Sequence, residues 1–265
     1  MFDFHAHCFP PALAQKAVDS VKNDNPYKLN GTLDDQLDFM KTHALSGCAL
    51  LHMATRPQTM HKVNTFALST FGPDRFVFGS IHPDAPDAFE ELDWLWEHGF
   101  RAVKFHTSHQ NFDFDDKKYL PLYRRIGQMK MVTLIHCGPS AKSNQHLVYP
   151  KTVANVIEAF NDAPFICAHM GGVGPEQADF DLLRQMPVYV DTALATRWMS
   201  PEMLAESAAR LGSHRVLFGS DLPWASFEQM LELVRQAAAL DPAIDLDAIL
   251  EGNARRLIQS CVQMR

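Results

Sequence analysis

The stretch FDFHAH, residues 2–7, decides how the rest of the chain is read. It is a short apolar run that ends in two histidines, and the two-residue period of a strand sends His5 and His7 to the same face. Seven further runs, mostly rich in Val, Ile, Leu and Phe, follow at Cys48–Met53, Phe76–His82, Ala102–Thr107, Val132–Cys137, Phe165–His169, Val188–Thr192 and Val216–Ser220. Most segments between them carry helical periodicity, which is the pattern of repeated βα units. Eight such units close a (β/α)8 barrel, and 265 residues is close to the ~250 usual for that fold in one domain. The expectation is therefore an α/β TIM barrel in which residues 1–265 form a single domain.

Local signals agree with this plan. Thr32 precedes Leu33, Leu37, Met40 and Leu45 at helical spacing, and Asp35 stands where a capping-box partner belongs. The stretch 88–98 runs into Gly99, a natural helix stop. Further helices are expected at about 118–130, 151–160, 175–185, 201–211, 227–240 and 246–259. Three connections are long, at 8–31, 108–117 and 138–149; on a barrel, connections of this kind leave the C-terminal strand ends and build active sites.

Composition narrows the function classes. With 46% hydrophobic and 21% charged residues the chain can bury a large core. A net charge of −7 argues against a nucleic-acid surface, which needs a basic patch, and favours a small-molecule substrate. The five cysteines are odd in number, scattered and without a CxxC pair, so neither a disulfide framework nor a thiolate zinc site is expected. MFDFHAH has no basic or apolar leader character, and no apolar run reaches the ~18 residues of a membrane span. A cytoplasmic protein that does not engage membranes is the reading.

The candidate chemistry collects at the strand ends. His5 and His7 close the first strand, where two imidazoles can bind one borderline cation such as zinc. His136 closes LIH, His169 closes CAH, and Asp221 follows FGS. Singly, each has a plain structural reading: a hydrogen-bonded histidine, or for Asp221 a helix cap in SDLPW. Together they are what a barrel active site requires. Lys104 and His106 share one face of the fourth strand and should point inward, which is unusual for a lysine unless it pairs or does chemistry. Arg56 and Arg197 fall just after strands two and seven and are candidates to hold a substrate carboxylate, or are solvated loop residues.

Taken in order, DFHAH at 3–7, AVKFHTSHQNFDFDD at 102–116, LIHCG at 134–138, AHMGG at 168–172, LFGSDLPW at 217–224 and GNARRL at 252–257 resemble the amidohydrolase-related group of small barrel enzymes within the amidohydrolase superfamily. The likeness spans nearly the whole chain and lies near the barrel decarboxylases and dicarboxylate hydrolases. It implies that His5, His7 and His136 ligate a divalent metal, with Asp221 as the remaining ligand or the general base. It makes His169 a further ligand or the acid/base and polarising group. It also implies a metal-activated water and an acid–base Asp221. Some superfamily members carbamylate a strand-four lysine, so Lys104 either bridges metals in that form or pairs with Asp221 or substrate. Zinc is the first choice of metal, with manganese, iron or cobalt also suited to these donors.

Three functions follow in order. The first is hydrolysis of an amide, lactone or related carbonyl bond, with a small carboxylic acid among the candidate substrates. The second is non-oxidative decarboxylation of an aromatic or unsaturated acid, in which Arg56 binds the carboxylate. The third is a barrel that binds a metal or metabolite without turnover. Trp198 and Trp224, on expected loops, would face substrate or a second subunit, which leaves room for a homo-oligomer.

Overall fold

Short β-branched and aromatic runs separated by helices pair in parallel, because each crossover returns the chain to the same end of the sheet. The computed structural model, which describes residues 1–21, 27–140, 145–172 and 177–262, bears this out. Its strands are β1 Phe2–Ala6, β2 Gly47–Leu51, β3 Arg75–Ser80, β4 Ala102–Phe105, β5 Val132–Ile135, β6 Phe165–Cys167, β7 Val188–Asp191 and β8 Val216–Leu217. They pair in parallel in sequence order. Backbone hydrogen bonds bring β8 and the residues after it onto β1: Phe4 N to Phe218 O at 2.7 Å, Asp221 N to His5 O at 2.8 Å and His7 N to Leu222 O at 2.9 Å. The architecture is the TIM barrel expected.

One strand departs from simple alternation. Between Asp3↔Cys48 and Ala6↔Leu50, three steps along β1 face two along β2, so β1 carries a bulge. A bulge re-aims the side chains that follow it. Phe2 and Phe4 therefore pack in the inner cluster with Leu51, Phe78, Leu134 and Ile166, while the adjacent His5 and then His7 line the cavity above. The last helix, Asn253–Val262, adds Ala254, Leu257 and Cys261 to that inner cluster, and Asn253 Nδ2 donates to Val216 O at the start of β8. It plugs the end of the barrel opposite the histidines.

The helices Leu33–Thr42, Pro201–Leu211 and Phe227–Leu240 lie where expected. Both arms of the Thr32/Asp35 capping box form. The segment 151–160 is divided instead into Pro150–Ala154 and a 3₁₀ turn Ile157–Phe160, breaking at Val156 in a β-branched stretch. Of the 175–185 helix, Gln177–Gln185 is seen and residues 175–176 lie outside the described residues. The connection 8–31 is not simply loop: Pro11–Asp19 is a helix, since a proline in the first turn costs no hydrogen bond and Ala14 and Val18 bury one side. A helix not anticipated, Met60–Ser69, forms despite poor formers because buried Asn64 exchanges two hydrogen bonds with the Ser80 backbone.

His52, just past β2, is buried between Phe66 and Thr70, and burial pulls its pKa down to about 3. A base whose folded pKa is depressed contributes stability above its unfolded value, lost as pH falls toward the folded one. Between pH 6.5 and 4.5 the unfolding free energy from urea denaturation should therefore fall, and His52→Phe should reduce that fall by about 1 kcal/mol or more, since each pKa unit is worth ~1.4 kcal/mol. Parallel pH profiles for the two proteins would refute the assignment. Among the described residues no helix is long and apolar enough to cross a membrane.

Candidate active site

The C-terminal ends of the strands surround a cavity of about 480 Å³ lined by His5, His7, Lys104, His106, His136, His169 and Asp221 at its polar end. Each of four imidazoles has one nitrogen committed to an acceptor. His5 Nδ1 lies 2.8 Å from Asp191 Oδ2, and His7 Nδ1 3.0 Å from Leu51 O. His136 Nε2 lies 3.1 Å from Pro139 O, and His169 Nδ1 2.9 Å from Ala193 O. A carbonyl or carboxylate oxygen only accepts, so those nitrogens carry the protons. In the neutral ring the other nitrogen is then a lone pair, which is the ligating form.

The remaining nitrogens converge. His5 Nε2 and His7 Nε2 lie 3.5 and 3.1 Å from Asp221 Oδ1, and these three groups fall within 4.8 Å of one another. His169 Nε2 and His136 Nδ1 face each other at 2.9 Å. With both rings neutral and protonated on their other nitrogens, these two lone pairs would face each other, an arrangement that a shared cation relieves. His5, His169 and Asp191 form a second group within the same 4.8 Å limit. His136 lies outside both groups and joins through His169, with ring centroids 4.6 Å apart. The donor set, neutral nitrogen plus carboxylate oxygen, fits a divalent transition ion.

The electrostatics favour the neutral form of His5 and His136 and the ionised form of Asp221. Burial holds His5 and His136 well below the ordinary imidazole range. Burial pushes the Asp221 carboxyl up, but the neighbouring His5 and the hydrogen bond and charge of His7 outweigh it, so the carboxyl titrates below its usual range. Asp3, buried against Ser220 and the His5 amide, is pushed up to about 7 by desolvation. Burial lowers Lys104 to about 8; Asp191 and Asp221 act on it through space, and among the described residues it makes no ion pair within 4 Å.

Backbone geometry brings two of these residues to the mouth. Asp221 and His169 have φ of +69° and +58°, and the left-handed run continues through Met170, Gly171 and Gly172. Glycine suits the last two positions, with φ of +83° and +114°. At Gly219 a Cβ would stand 2.8 Å from that of His5, so the motif FGSD needs glycine there for β8 to approach β1.

Of the residues singled out in the sequence, the cavity gathers His5, His7, Lys104, His106, His136, His169, Asp221 and, at its outer edge, Arg197. Arg197 is exposed and donates to Trp224 O at 3.3 Å. Arg56 is exposed and does not line the cavity, because the chain turns away from it into the 3₁₀ turn Pro57–Thr59. Asp191 was not singled out, yet its carboxylate also accepts from His169 N at 2.9 Å and Ala193 N at 3.1 Å. Its signal was a charged residue closing the run VYVD. Trp224 packs on His7 at 4.8 Å and donates from Nε1 to Val18 O, tying the Pro11–Asp19 helix over the cavity.

Solved structures share this architecture. A 2,6-dihydroxybenzoate decarboxylase in complex with 2,6-dihydroxybenzoate superposes with a TM-score of 0.72 at 16% identity, covering 97% of this chain and 98% of that one. A dihydroxybenzoic acid decarboxylase from Polaromonas sp. JS666, with bound manganese and 2-nitroresorcinol, gives 0.73 at 14%, covering 97% and 96%. A probable 2-pyrone-4,6-dicarboxylic acid hydrolase from Acinetobacter baumannii with citric acid bound gives 0.67 at 16%, covering 97% of each chain. No curated protein matches the sequence. The amidohydrolase profile, in contrast, runs from residue 2 to residue 259 without leaving out any strand or any of the converging donors, and on that match the chain belongs to the amidohydrolase family.

Proposed function

We propose that this chain is a metal-dependent hydrolase acting on an amide, lactone or related carbonyl bond of a small carboxylic acid. The observation that carries the reading is the convergence of His5 Nε2 and His7 Nε2 on the Asp221 carboxylate, with the facing His136 and His169 nitrogens beside them. His5, His7, His136 and Asp221 would hold a divalent ion, zinc first, with His169 beside them. A bound ion supplies Lewis acidity toward a carbonyl and toward water. Asp221 takes the proton of the attacking water and returns it to the leaving group. His169, fixed at Nδ1 and at its amide, presents Nε2 as the neighbouring ligand or polarising group. Lys104, His106 and Arg197 hold the substrate, and Phe9, Trp198 and Trp224 give the cavity an aromatic wall.

That aromatic wall also favours a second reading, non-oxidative decarboxylation of a planar unsaturated acid. Arg56 was the carboxylate holder in that scheme; its place off the cavity passes the role to Arg197 or Lys104. The two reactions separate by product. Zinc-loaded protein incubated in ¹⁸O-water with a panel of ¹³C-carboxyl lactone and aromatic acids is expected to yield an acid carrying ¹⁸O and no ¹³CO₂. Release of ¹³CO₂ without ¹⁸O uptake would replace the first reading by the second.

A further inference from the structure

Resting on the reading above, we infer that His106 is the neutral hydrogen-bond donor that grips a carboxylate or carbonyl oxygen of the substrate through Nε2. His106 follows β4, is 8% exposed and lines the cavity. Its Nδ1 is fully buried with no hydrogen-bond partner. A buried N–H left unmatched costs more than an unmatched lone pair, so the proton belongs on Nε2. Nε2 is the nitrogen left to open on the cavity, and no protein acceptor takes it among the described residues.

The ring is held ready for this. It stacks on His136 at 3.8 Å and 8°, and His109 meets it edge-on at 4.2 Å. Its backbone N donates to Gln110 Oε1 at 2.9 Å, while Gln110 Nε2 donates to Ala54 O and Ile81 O. One buried amide thus ties together the exits of β2, β3 and β4 and sets His106 relative to the metal-ligand candidates. A fixed N–H donor lining the cavity can stabilise an oxyanion held there and, without a net charge of its own, does not compete with the ion for Asp221.

The test uses benzoate as the carboxylate probe, titrated calorimetrically into wild type, His106→Phe and His106→Gln, each with and without zinc. Phenylalanine keeps the stack on His136 and removes the donor; glutamine keeps a donor. His106→Phe is expected to weaken benzoate about tenfold, as loss of a hydrogen bond to a charged group does, and His106→Gln to restore most of it. In ¹⁵N-histidine wild type, long-range ¹⁵N–¹H spectra should place the proton on Nε2 and shift that resonance when benzoate is added. Equal benzoate affinity in all three proteins, no benzoate binding by wild type, or a proton on Nδ1 overturns the inference. A wild type that binds benzoate but no zinc counts against the metal reading alone, because the benzoate arm is also read without zinc.

Discussion

Asp221→Asn is expected to lower turnover of a processed substrate by about 10²–10⁴-fold, the contribution of a positioned acid–base group. Asparagine is the informative replacement. It tolerates the +69° φ at this position, which alanine would strain, and it keeps the shape of the side chain while removing its basicity. The wild-type carboxyl titrates below the usual range, so Asp221 is ionised throughout the neutral region and does not itself limit the rate there. The measurement is kcat beside zinc content and thermal midpoint, which separate lost chemistry from lost fold. A variant with full turnover would reduce Asp221 to a capping residue of the turn before Trp224.

The second large effect is expected at Asp191, which stands behind the cavity. Its Oδ2 fixes His5 Nδ1 as the protonated nitrogen, and its Oδ1 accepts two backbone amides, from His169 and Ala193. In Asp191→Asn the amide group must face one of these two sides. Facing His5, it sets donor against donor and drives the proton to Nε2, which removes the lone pair; facing the backbone, it opposes two N–H groups. Either way the His5 ligand is lost or misdirected. Zinc affinity should fall about 10–100-fold, the usual cost of losing a partner behind a metal ligand. Competition with a chromophoric chelator measures this, and unchanged affinity would remove Asp191 from the site.

Much of the architecture was legible because the barrel repeats one signal: each apolar run ends in a polar residue at the mouth. That is why His136, His169 and Asp221 could be picked from LIH, CAH and FGSD. Asp191 ends VYVD in the same way, but an aspartate before threonine is equally a turn signal, and its meaning depends on His5 lying 186 residues away. The β1 bulge was hidden, because strict alternation predicts that Phe4 and His5 face opposite ways, whereas closure onto β8 turns both inward. The Pro11–Asp19 helix was hidden behind its paired prolines. Arg56 could be placed in sequence only as following β2; its direction depends on the path of the chain from Leu51 into the Pro57–Thr59 turn, which strand alternation does not predict.

The left-handed exits at His169 and Asp221 also divide the rim unevenly. From β6 round to β1 the chain bends sharply at the donors, and a substitution there disturbs backbone and ligand together. His136, at the exit of β5, adds its nitrogen to the group from ordinary backbone through His169. Residues farther out in the connections, beyond these bends, can therefore change without altering the backbone angles that present His169 and Asp221.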